Sequence, residues 1–109
     1  MILVTSDEIP GRSIRETIGL VRGSSVRSRH LGKDLVAVFK NIVGGEVEEY
    51  TKLLAEAREQ AIDRMNAEAR ARGADAIVTV RFASSEIASG AAEVLVYGTA
   101  VTLSEAPRS

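Results

Sequence analysis

His30 is the one imidazole in a chain that has no cysteine. Disulfides, thiolate zinc sites, iron–sulfur clusters and cysteine nucleophiles are excluded by composition. His30 stands among Arg27, Arg29 and Lys33, and nearby positive charge disfavours its protonation and repels a metal cation. The residue reads as a solvated loop histidine. Ligation there would need symmetry-related copies around an axis, or the carboxylate of Asp34. Met65 falls on an apolar stripe between Ala61 and Ala69, the position of a flexible core filler rather than a soft-metal ligand. Glu46, Glu49 and Asp75 could offer oxygens to a hard cation, but acidic residues at helix ends ordinarily serve as solvated caps.

Catalytic candidates are few. Tyr50 and Arg58 are eight positions apart, about two turns along the same side of a helix, with Glu46 just before them. No nucleophile stands in spacing with a base. Gly44-Gly45-Glu46 sits at a helix start, where free amides can bind anions. Glu46, Glu48 and Glu49 would repel a phosphate, and the long glycine spacing and lysine of a phosphate loop are missing. Gly19-Leu20-Val21-Arg22-Gly23 lies inside a strand rather than between a strand and a helix, so it is no dinucleotide fingerprint. Arg22, Arg27, Arg29, His30 and Lys33 form a basic cluster without an aromatic platform, which reads as a solvated edge.

The elements that must carry these groups belong to one domain spanning 109 residues, with a frayed tail from about residue 104. Basic residues number 14 against 15 acidic, for a net charge of −1. That balance argues against a generic nucleic-acid or anionic-membrane binder. No apolar run approaches the roughly 20 residues of a membrane-spanning helix, and residues 1–4 run into Asp7 and Glu8 without the basic start of a signal peptide. A cytoplasmic protein is expected, with no nucleic-acid and no membrane partner.

Residues 2–5 read as a short strand closed by Ile9-Pro10-Gly11. Residues 14–26 read as a long strand with Ile14, Ile18, Leu20 and Val26 on one parity and Gly19 and Gly23 on the other. Glycine inside a strand marks a bulge or a close backbone approach. Leu31, Leu35, Val38, Phe39 and Ile42 follow helical spacing, with a strand over 35–39 as the competing reading. The strongest element is a helix over 46–72, in which Val47, Tyr50, Leu54, Ala57, Ala61, Met65 and Ala69 form one stripe. Gly73 stands at its left-handed stop. Residues 76–82 and 93–101 are β-branched strands, joined by a hairpin loop over 84–90. The expected class is α+β: an antiparallel-rich sheet of about four strands with two helices, one of them long.

The last strand is apolar on both parities. Val94 and Val96 point one way, while Leu95, Tyr97, Val101 and Leu103 point the other. A strand without alternation is covered on both sides. Two helices can cover one face, and no further segment is evident for the second. Self-association is the expectation that follows.

Several motifs then occur in order: Gly19-Leu20-Val21-Arg22-Gly23, Ile42-Val43-Gly44-Gly45-Glu46, Tyr50-Thr51-Lys52-Leu53-Leu54, Ala57-Arg58 with Ala61, Gly73-Ala74-Asp75-Ala76 and Tyr97-Gly98-Thr99-Ala100-Val101. Together they resemble the YbjQ-like family, an uncharacterised bacterial and archaeal family with the label "putative heavy-metal-binding". The resemblance covers residues 5–103. It implies a small α+β subunit of the dodecin-like class that assembles into a homopentamer or a pair of pentamers. The label also implies a divalent metal as a cofactor, although it carries no ligand residue over to this chain, where symmetry-related His30 copies or acidic residues are the candidates. The reading that emerges is a homo-oligomeric binding or scaffold protein of unknown role. Any ligand would sit at subunit interfaces near Glu46, Tyr50, Arg58, Tyr97 and Thr99. Metal binding is the alternative, and an enzyme of unknown reaction is the third.

Overall fold

Small side chains decide how this fold packs. The computed structural model describes residues 1–28, 47–88 and 91–105. Strand β1 is Ile2–Leu3, β2 is Ile14–Ser28, helix α1 is Val47–Ala71, β3 is Ala76–Ala88 and β4 is Ala91–Leu103. The strands form one four-stranded sheet in the order β1-β3-β4-β2. Strands β2 and β3 flank β4 as antiparallel neighbours, whereas β1 runs parallel to β3. The sheet is therefore mixed rather than purely antiparallel. The expected helix over 31–42 lies outside the described residues.

Helix α1 closely matches its expected span, and its apolar stripe is the buried one. Ala57, Ala61, Met65 and Ala69 are fully buried and pack against Val21 of β2, Ile77 and Val80 of β3, and Val94, Val96 and Ala100 of β4. The helix stops where Gly73 takes a positive φ of 80°. There the Gly73 N–H donates to the Arg70 carbonyl and the Ala74 N–H to the Ala69 carbonyl, both at 3.0 Å. This arrangement satisfies carbonyls that a helix end leaves orphaned.

The two strand glycines do the two things that their position suggests. Gly19 sits where the β2–β4 register shifts. Gly23 faces α1 so closely that an added Cβ would collide with the carbonyl oxygen of Ala61 and come within 2.5 Å of the Met65 nitrogen. Val21, Gly23 and Ser25 are buried against the helix, while Leu20 and Val26 are exposed. The small side chains take the helix side because a helix in backbone contact admits only those.

Residues 84–88, expected in a hairpin loop, continue β3 in register with β4 as far as Ala88 opposite Ala91. Their serines and glutamate looked like loop residues, yet a strand with exposed sides tolerates them. The second face of the sheet also differs from expectation at one end. Ile9 and Val4 pack over Ala76, Val78, Val101 and Leu103, so the N-terminal segment covers this part. It is tied down by the Val4 N–H to Ile77 carbonyl bond at 3.0 Å and by Arg12, whose Nε and Nη2 donate to the Ser104 carbonyl at 2.9 and 2.6 Å.

The Gly23 contact yields a direct prediction. Gly23→Ala must push α1 off the sheet and should lower unfolding stability by at least about 3 kcal/mol, the upper part of the range for overpacking. Urea denaturation of the variant beside wild type checks this.

Candidate functional site

Beyond the patch under Ile9, no described element packs on the face of the sheet away from α1. Across it, Arg22, Tyr97 and Arg81 stand directly opposite one another on β2, β4 and β3. Leu20 and Thr99 form the next row, with Ser24, Leu95 and Ala83 on the other side. Leu20 is 59% exposed, Val26 53% and Tyr97 38%. Arg81 is anchored, its Nη1 donating to the Thr5 carbonyl at 2.8 Å and to the Val80 carbonyl at 2.9 Å. The result is a mixed face in which Leu20, Leu95 and the Tyr97 ring lie among Arg22, Arg81, Ser24 and Thr99.

On the helix side, Leu54 and Arg58 of α1 face Ser84, Ser85 and Glu86 of β3, with Ala92 and Val94 of β4, around a shallow cleft of about 180 Å³. Helix α1 passes over β2 and β4 and leaves this end of β3 uncovered, so all of residues 81–86 are exposed.

The candidate ligand residues divide between these two places. Tyr97 and Thr99 lie on the open face, and Arg58 lies at the helix-side cleft. Tyr50 is in the first turn of α1, where its side chain is outside the described part; Glu46 and His30 are outside it as well. The sheet stands between Arg58 and the Tyr97–Thr99 pair. One small ligand therefore cannot touch both within a single chain.

Sequence reasoning missed a third arrangement, at the outer edge of β2. Arg64 and Glu68 of α1 and Arg72 just past its end recur every four residues and turn over that edge. Arg64 Nη1 donates to the Ser24 carbonyl at 2.6 Å, and Arg72 donates through Nη1 to the Leu20 carbonyl at 2.7 Å and through Nη2 to the Ile18 carbonyl at 3.3 Å. The Arg22 N–H donates to Glu68 Oε1 at 3.3 Å. Further along, the buried Ser25 hydroxyl donates to Gln60 Oε1 at 2.5 Å. The i, i+4, i+8 spacing was visible, but it reads equally well as a solvated helix face.

Metal-ligand geometry is another matter. Among the described residues no three His, Cys, Asp or Glu side chains come together as a metal-holding group. Met65 is fully buried in the core, and Asp75 Oδ2 accepts the Leu103 N–H at 2.8 Å. Asp75 thus fixes the end of β4. The described donors of one subunit do not fit a heavy-metal ion, which favours thiolate or clustered imidazole ligands.

Comparison with known proteins places the chain. A family model described as "Putative heavy-metal-binding", the YbjQ-like family, matches residues 1–104. The UPF0145 protein of Thermosipho melanesiensis is 59% identical over 103 residues, covering 94% of this chain and 95% of the relative. The UPF0145 protein of Methanosarcina acetivorans is 52% identical over 103 residues, covering 94% and 97%. A crystal structure of a protein of unknown function from Pediococcus pentosaceus superposes with a TM-score of 0.51 at 16% identity, covering 95% of this chain and 98% of that one. That likeness is one of fold alone. The chain belongs to the YbjQ-like, UPF0145 family, whose members are uncharacterised.

The β2 edge provides the test at this site. Arg72→Ala removes two charge-assisted bonds from an exposed edge and should lower stability by about 1 kcal/mol. It should also promote concentration-dependent aggregation, because an uncovered edge is a template for pairing. Thermal melts and light scattering over a concentration series measure both effects.

Proposed function

We propose that this protein is a homo-oligomeric binding or scaffold subunit of the cytoplasm, built as a dodecin-like ring of five or a pair of such rings, with ligands held where subunits meet. The observation that carries this reading is the open sheet face. Leu20, Val26 and Tyr97 lie on it among Arg22, Ser24 and Thr99, each of the three more than a third exposed, whereas a sheet with one wet face carries mainly polar residues there. Large apolar side chains left on a sheet face favour an interaction site. The shape of the chain adds support. Its radius of gyration is 17.9 Å, against about 13 Å for a compact domain of this length. The separation of Arg58 from Tyr97 and Thr99 supports ligand binding between subunits rather than within one.

The family description favours metal binding as a second reading. It requires donors from several subunits, with His30 or carboxylates brought together by symmetry.

Native mass spectrometry at micromolar concentration should give a discrete oligomer, and a strict monomer would overturn the proposal. Leu20→Glu combined with Val26→Glu should raise the subunit dissociation constant at least about tenfold, equivalent to about 1.4 kcal/mol. Elemental analysis of purified wild type and His30→Ala should find no stoichiometric soft metal in either. Metal present in wild type and lost in His30→Ala would establish the second reading instead.

A further inference from the structure

The N-terminal segment meets the sheet at one unusual place. Strand β1 pairs with the start of β3, and the chain then passes over the β3 bulge. There the Thr79 N–H donates to the Ser6 carbonyl at 2.9 Å, the Val80 N–H to the Val4 carbonyl at 3.0 Å, and Arg81 Nη1 to the Thr5 carbonyl at 2.8 Å. Three successive carbonyls thus meet three successive residues. In a regular strand consecutive amides point to opposite sides. Here two of them turn to the same side, because Thr79 lies at a φ of 55°.

That conformation is costly for threonine. Left-handed backbone suits glycine, and a β-branched residue is a true outlier there. The bulge sets Thr79 and Val80 against Gly98, and a bulge whose first residue is left-handed ordinarily has glycine at that place. An alternative bulge with the same two-against-one count has its first residue near the right-handed helical region. Thr79 can take that form while residues 81–88 keep their register on β4, but the two amides then no longer converge on the N-terminal segment. The strain at Thr79 is therefore tied to the docked segment.

The segment also buries little. Ile9 is its one buried residue, Leu3 and Val4 are half-buried, and Thr5 to Glu8 are exposed. After Ile9 the chain turns at Pro10 and Gly11, with Gly11 at a φ of 84°, and Arg12 is fixed by its two bonds to the Ser104 carbonyl. A stretch with few buried apolar contacts belongs to the low-stability end of a fold. We propose that residues 2–9 form a strap that releases as a unit about Pro10-Gly11, and that strain at Thr79 sets how readily it does so. Release uncovers Ala76, Val78, Val101 and Leu103, each at most 4% exposed while the strap is docked. The strap thus governs access to the apolar end of this sheet face. The device lies within one chain and does not rest on assembly.

Amide exchange followed residue by residue tests this. In the wild type, Val4, Thr79 and Val80 should share one level of protection, at least about tenfold below that of Met65 in the middle of α1. Glycine and asparagine accept a left-handed backbone. Protection of the Val4 amide should therefore rise at least about threefold in both Thr79→Gly and Thr79→Asn. Thr79→Val keeps the β-branch and should match the wild type. Equal protection of Val4 and Met65 in the wild type overturns the strap, since the segment then leaves only with the whole fold. Unchanged or lower Val4 protection in the glycine and asparagine variants, or an equal rise in Thr79→Val, overturns the role of Thr79. These readouts hold for a single chain, so a monomeric protein overturns the proposed assembly and not the strap.

Discussion

Everything in this fold is arranged around the contact of α1 with β2 at Gly23. Helix and strand come so near that an added Cβ on Gly23 would collide with the Ala61 carbonyl. Such proximity requires small residues on both partners, which is why the buried stripe reads Ala57, Ala61, Met65, Ala69 and its seat reads Val21, Gly23, Ser25. Buried area per residue is modest in a stripe so rich in alanine. Close packing compensates by multiplying short-range contacts, each weak alone.

The same approach settles what the helix cannot cover. Seated over β2 and β4, α1 admits only small residues on the helix side of β2, whose larger Leu20 and Val26 fall on the opposite face. It also brings Arg64, Glu68 and Arg72 within reach of the β2 edge. One tight contact therefore guards one edge and turns large apolar side chains to the face away from the helix. That face is the surface through which a subunit of this shape would meet its neighbours.

Much of this was legible in the sequence. The long helix, its buried stripe and its stop at Gly73 follow from three- and four-residue spacing and from the freedom of glycine at positive φ. The glycines in β2 announced a bulge and a close approach. The parity of β2 did not tell which side meets the helix, because Leu20 and Val26 are larger and more apolar than Val21, Gly23 and Ser25. Hydrophobicity predicts burial only where there is room, and here the helix backbone takes the room. The polar run at Ser84 and Ser85 was misread as a loop for a related reason: strand pairing is specified by the partner, β4, as much as by the strand itself. Of the candidate site, Tyr97 and Thr99 do lie on an accessible face. Their separation from Arg58 depends on which side of the sheet the helix occupies, and residue spacing along one chain does not encode that.

The family description and the chemistry of this chain pull in different directions, and the structure shows where the disagreement lies. A soft-metal site needs thiolate, thioether or clustered imidazole donors held at fixed geometry. This chain has no cysteine and one histidine, its core methionine is sealed beneath Val21 and Val96, and Asp75 is engaged in holding β4. A single subunit thus lacks the described donors for such a site, while a symmetric assembly multiplies every donor by the number of copies that meet at an axis. The question of what is bound is therefore subordinate to the question of which surfaces meet. A sheet face that one helix cannot reach, with Leu20, Leu95 and Tyr97 on it, is a physical demand of the fold itself, present whether or not a metal ever binds. If copies assemble as proposed, any ligand chemistry is built on the geometry of that assembly.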